Sequence, residues 1–149
     1  MERAHDRNRL EVLDEPECRR LLTGAVIGRL AYTEGALPAI RPVHFAMSGD
    51  RIVIPAQVGS TVAVACRNAV VAFEADDFDA VARTGWTVTV VGQSRVVSRP
   101  AEVAALDALG ARSWAPAGTR CYIVIEAVVV RGRRITPGAV PAVPTLTGV

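Results

Sequence analysis

The chain has 149 residues, half of them hydrophobic, and a formal net charge of +2. That length suits one domain with a real core, and so small a charge implies no strong field for nucleic acid. No stretch reaches the ~20 apolar residues of a membrane span, and the polar start lacks the apolar core of a signal peptide.

Residues 1–12 read as a polar lead-in. Asp14, with Glu17 three positions on, resembles a capping box, and Pro16 suits a first helical turn. Cys18, Leu21 and Leu22 then give a short apolar face, and Gly24 marks a stop. From Val26 the pattern becomes strand-like. "VIGRLAY" and "PAIRPVHFAM" are rich in branched and aromatic residues, with "TEGAL" as the turn between them. "SGD" at 48–50 is another turn and "RIVI" a third strand, which together predict an antiparallel meander. "AVVAFEADD", 69–77, reads as a strand running into an acidic loop. "GWTVTVVGQSRVV", 85–97, is the longest strand candidate, and Gly92 in its middle predicts a bulge or sharp bend. Pro100 to Leu109 reads as a helix, with Glu102 in its first turn and Gly110 as its stop. "RCYIVIEAVVVRG" is a last strand. The tail, 136–149, is rich in Pro and Gly and is expected to be extended or disordered. The domain proper is then 13–135. Its six strands, short turns and few helices predict a mainly β, antiparallel barrel.

Few residues announce a reaction. Cys18, Cys66 and Cys121 are odd in number and widely spaced, which fits neither a disulfide framework nor a metal cluster. Reduced thiols in a cytoplasm are the expectation. His5 lies in the lead-in and His44 in a strand, so no two-His metal site is expected. His44 reads first as a partly buried side chain bonded to backbone. Glu74, Asp76, Asp77 and Asp79 read as a solvated loop before any one of them reads as a catalytic carboxylate. "RGRR", 131–134, either grips a phosphate or RNA or forms a charged strand edge that blocks aggregation. No serine nucleophile elbow is present, and no catalytic residue is assigned.

"IPAQVGSTVAVACRN", 54–68, has the outline of a phosphate-binding turn. Gly59, Ser60 and Thr61 precede a segment suited to one or two turns of helix. Free N–H groups at a helix start attract an anion, and the two hydroxyls add bonds. Ordinary turn and N-cap chemistry uses the same residues. The stretch has no Lys, and its one Arg, Arg67, comes near the far end.

In order along the chain stand "GRLAY", "PAIRPVHFAMSGDRIVI", "GST", "AVVAFEADD", "RTGWTVTVVGQSRVV" and "RGRRI". This ordered set resembles the pyridoxamine 5'-phosphate oxidase-like family of flavin-binding split barrels, from about Leu13 to Ile135. The resemblance implies a six-stranded Greek-key split barrel that forms a homodimer, with two flavins, as FMN, in grooves at the dimer interface. It implies flavin contacts from Arg41, Pro42 and Val43, from Pro55 and Ala56, and from Trp86 and Thr87. It places the phosphate by Gly59, Ser60 and Thr61. The chain departs from the family here. Relatives commonly carry Arg and Thr where this sequence has Pro55 and Ala56, and Lys where it has Thr61. Arg41, Arg51 and Arg67 are the candidates to compensate. A flavin-dependent oxidoreductase is the first function implied. The second is a binding or regulatory protein on the same scaffold, holding a deazaflavin, haem or no cofactor. Oxidation of pyridoxamine phosphate itself ranks third, for lack of an Arg, His and Tyr cluster suited to a second phosphate.

Overall fold

The computed structural model describes residues 8–111 and 119–137; His5 and the tail from residue 138 lie outside the described residues. In chain order the elements are β1 (Asn8–Leu13), α1 (Glu15–Gly24), β2 (Ile27–Glu34), β3 (Leu37–His44), β4 (Ala46–Ser48) and β5 (Arg51–Gln57). Then follow α2 (Thr61–Ala65), β6 (Ala69–Asp79), β7 (Thr84–Val97), α3 (Pro100–Asp107) and β8 (Arg120–Pro137). Every strand pair is antiparallel, and the path across the sheet is β3-β2-β6-β7-β8-β5-β4 with β1 added to β8. The protein is mainly β, a split antiparallel barrel with few helices. Among the described residues it has eight strands where six are expected.

The two extra strands have separate causes. The expected lead-in ends in β1, because Leu13 and its predecessors ladder onto the edge of β8, with Leu13 opposite Gly132. "PAIRPVHFAM" breaks in two at Phe45. That side chain turns into the core and meets Phe73 edge to face, with ring centroids 4.7 Å apart. The break also removes the expected meander. β3 ends one side of the sheet path and the β4–β5 hairpin ends the other. β3 and β5 approach each other across a seam without a ladder, which is what splits the barrel.

Two further expectations are corrected by strand pairing. The acidic run is strand rather than loop, since the β6–β7 ladder continues to Asp79 opposite Thr84. The "RGRR" segment is no edge: β8 bonds β7 on one side and β1 on the other. The last strand also runs on to Pro137, past the expected end of the domain. Other readings hold. Gly35 and Ala36, both at positive φ, make the tight turn between β2 and β3. The bulge falls between Val91 and Gly92.

The helices close the barrel. Asp14 Oδ1 accepts the Glu17 N–H at 3.0 Å, which is half of a capping box. The Glu17 carboxylate takes Arg20 and Arg134 instead, and these hold it down to about 2. α1 is thereby clamped to β8. Leu30, Phe73, Val90 and Ile123 fill the interior, all fully buried. Outside the barrel, Val103 and Leu106 of α3 pack on Val53, Val97, Tyr122 and Val124. The Tyr122 hydroxyl donates to Asp107 Oδ1 at 2.5 Å, and Arg120 joins it at 3.0 Å. Tyr122→Phe is expected to cost about 1–2 kcal/mol, because the lost bond has a charged acceptor. Urea unfolding reads this as a lower midpoint at unchanged slope. An unchanged midpoint would mean that packing alone holds α3.

Candidate functional site

α2 is only five residues long and starts where Gly59 reverses the chain at φ +77. Ser60 caps it: its Oγ accepts the Ala63 N–H at 3.3 Å. The serine oxygen is thus already engaged in turn chemistry. Thr61 is exposed at the first helical position.

Beside this turn lies a cavity of about 290 Å³. Gly59 lines it, together with Arg67, Asn68, Arg95 and Ser98. No carboxylate is among the described residues that line it. Among the described residues neither Arg67 nor Arg95 is in an ion pair. Two arginines lining one cavity form an anion-seeking site, and Arg matches phosphate in a two-pronged geometry. The chain has 17 arginines and no lysine.

The other candidates fall into two groups. Arg41 and Pro42 are exposed on β3 and Val43 is buried; Pro55 is half-buried and Ala56 buried on β5. These two strands face each other across the seam, and the Gly59 turn follows directly from β5. Trp86 and Thr87 stand apart. Trp86 lines a second cavity of about 290 Å³ with Asp77, Gly85 and Arg134. It lies nine positions before Arg95 on β7, roughly 30 Å of extended strand. One chain does not bring Trp86 and Thr87 to the Gly59 turn.

Of the three cations expected to compensate, Arg67 lines the cavity. Arg51 does not: it starts β5, far from the turn, and pairs with Glu126 at 2.8 Å. Arg41 is exposed at the seam. Arg95 was not legible beforehand. Its place beside Asn68 comes from the β6–β7 register, with Ala69 opposite Ser94, and no single sequence displays a register.

The remaining candidates divide plainly. Asp79 caps the turn after β6, accepting the N–H groups of Val81 and Ala82. Asp77 lies in the Trp86 cavity. Glu74 and Asp76 share Arg29, at 3.6 and 3.1 Å. Arg134 is held by Glu17 and Glu11, while Arg131 and Arg133 are exposed. His44 is half-buried at the end of β3. The three cysteines are buried, and burial pushes Cys66 up to about 11 and Cys121 upward against the charge of Arg67. Such thiols are not nucleophiles at neutral pH. Among the described residues no group of side chains is arranged to hold a metal ion, and no helix is long and apolar enough to cross a membrane.

Known proteins match this chain along most of its length. The uncharacterised protein Rv0080 of Mycobacterium tuberculosis is 39% identical over 128 residues, covering 83% of this chain and 84% of that one. The solved structure of an FAD-binding protein from Mycobacterium smegmatis superposes with a TM-score of 0.71 at 27% identity, covering 83% and 98%. A FAD-binding protein from Mesorhizobium loti shares the fold, with a TM-score of 0.69 at 23% identity, covering 84% and 97%. The profile of the pyridoxamine 5'-phosphate oxidase family matches residues 14–136. With its seam, its bulged long strand and this match across nearly all of the described residues, the chain belongs to the pyridoxamine 5'-phosphate oxidase family.

Proposed function

We propose that the protein is a flavin-binding member of this family, with the flavin phosphate in the cavity beside Gly59. The observation that carries this is the pair Arg67 and Arg95, which line that cavity and are in no ion pair among the described residues. They supply the charge that Pro55 and Thr61 lack. The 27% identical relative from Mycobacterium smegmatis binds FAD, which supports a flavin. Gly59 lines that cavity, while Ser60 and Thr61 stand at the turn beside it and are not among its lining residues. Arg41, Pro42, Val43, Pro55 and Ala56 flank the seam where the ring system enters. A bound flavin supplies electron and hydride transfer, and the protein supplies orientation and exclusion of water. Oxidoreductase activity is the function this reading predicts.

The site needs two chains. Trp86 and Thr87 are not among the residues lining the cavity beside Gly59, and on this reading they serve the site of a second copy in a homodimer. A second reading rests on Pro55 and Thr61, which carry no cation. On it, the scaffold has exchanged FMN for a deazaflavin or haem, or acts without a cofactor.

Titration of the purified protein with FMN and with FAD decides between them. The expected result is a bound flavin absorption band and quenched flavin fluorescence. Thr61→Lys is expected to tighten flavin binding about tenfold, since an ammonium at the turn adds a third cation near the phosphate. A protein that leaves both flavins free at high micromolar concentration sinks the flavin reading and favours the second.

A further inference from the structure

One buried side chain has no part in the apolar packing of the core. Among the described residues the buried positions are hydrophobic residues or glycines, with Ser94 as the exception. It lies on β7 after Val88, Val90 and Gly92, in the alternating row that is buried. A buried hydroxyl without partners is destabilising, so a serine at that place calls for acceptors. Two are present. The Ser94 hydroxyl faces the carbonyl oxygens of Cys66 and Ala69, at 2.7 and 3.0 Å, and donates its one proton between them.

Those two carbonyls bracket a short turn. Cys66 ends α2, Ala69 begins β6, and Arg67 and Asn68 lie between them. The Cys66 carbonyl is past the last turn of the helix, where no helical N–H reaches it. Asn68 has φ +47, in the left-handed region, a conformation that persists when the surroundings hold it. The β6–β7 ladder holds one end, with Ala69 opposite Ser94. The hydroxyl ties the other end to the same point. Both residues of the turn line the cavity beside Gly59, and so does Arg95, the residue after Ser94. Successive side chains of a strand point to opposite faces, so Ser94 reaches inward to the turn while Arg95 points outward.

We propose that Ser94 is a positioning residue for the anion site: its hydroxyl fixes the turn carrying Arg67 to the strand carrying Arg95, so that both guanidiniums meet one phosphate. The proposal rests on the flavin reading above and names what holds its cation pair together. Ser94 acts only through the turn. A guanidinium on a fixed backbone loses less freedom on binding than one on a loose turn, and that difference appears as affinity.

The test compares Ser94→Ala with wild type in fluorescence titrations of FMN and of riboflavin, which has no phosphate. FMN affinity is expected to fall about tenfold, the equivalent of about one charge-assisted bond, with riboflavin affinity kept within about twofold. Val90→Ala is the control, buried in the same row of β7 but away from the turn. It is expected to lower Tm at least as far as Ser94→Ala does and to leave the ratio of FMN to riboflavin affinity unchanged. Amide hydrogen exchange is read on the same proteins without ligand. Ser94→Ala is expected to speed exchange at Arg67 and Asn68 at least about tenfold relative to the amides of β7. Circular dichroism confirms that each variant is folded. Equal losses of FMN and riboflavin affinity in Ser94→Ala, or a Val90→Ala protein whose ratio shifts as far, would make Ser94 a core residue and overturn the positioning role. Unchanged exchange in the turn overturns it as well, whatever the flavins do. A wild type that takes up neither flavin sinks the flavin reading, and this role with it, even where the turn loosens as expected.

Discussion

Gly92→Ala is expected to destabilise the barrel strongly. A methyl group at that position would lie 1.7 Å from the carbonyl oxygen of Glu126. The obstacle is backbone of the paired strand, at the bulge itself, so no side-chain rotation relieves it. The strands would have to part, breaking ladder bonds in the pair that joins the longest strands of the sheet. We expect a loss of about 3 kcal/mol or more, a large share of the ~5–15 kcal/mol that holds a domain of this kind together. For a chain of this size that is a fall in Tm of roughly 10 °C. Gly24→Ala is the control: nothing lies within 4 Å of the new methyl, and no positive φ is involved. Thermal melts of both variants check the claim. A Gly92→Ala protein that melts within a degree or two of wild type would show that the bulge yields more easily than its geometry indicates.

The second large effect concerns the cavity beside Gly59. Arg67→Ala/Arg95→Ala is expected to weaken FMN and FAD binding about a hundredfold or more. Each charge-assisted bond to phosphate contributes about 1.5–3 kcal/mol, or roughly tenfold to a hundredfold in affinity. Riboflavin has the ring but no phosphate, so its weaker binding is expected to be the same in wild type and variant. Arg51→Ala is expected to leave flavin affinity unchanged, since that guanidinium is engaged by Glu126. Fluorescence titration with the three flavins at low and moderate salt separates these outcomes. If riboflavin and FMN lose affinity equally, the arginines act on the ring or the fold rather than on the phosphate.

What the sequence displayed and what it withheld follow from range. Asp14 at the start of α1 and the turn at Gly35 depend on neighbours a few positions away, and they were legible. So was the bulge at Gly92, because a glycine inside a long branched run has few other uses. The ordered motifs sufficed for the fold class. Pairing at long range was not legible. β1 looks like polar lead-in until β8 offers an edge to it. The acidic run looks like loop until Thr84 and its successors ladder against it. Phe45 breaks a strand because Phe73 waits across the core, and neither residue says so alone. At the candidate site the same division holds. The Gly59 turn could be read directly, and Arg67 lay within sight of it. Arg95 required the register of β6 on β7. The separation of Trp86 from that turn required the whole course of β7.

The position of β8 has a consequence for how the molecule comes into being. This strand joins β7 to both β5 and β1, and it leaves the ribosome after all of them. Until it arrives, β5 and β7 have no common neighbour, and β1 has no partner at all. The contacts that complete the sheet span most of the chain, with Leu13 meeting Gly132. Closing such loops late makes for slow folding, in the range of milliseconds to seconds, through states with open strand edges. The nascent protein is therefore most exposed to misassembly and to chaperones in the interval before its last strand is released.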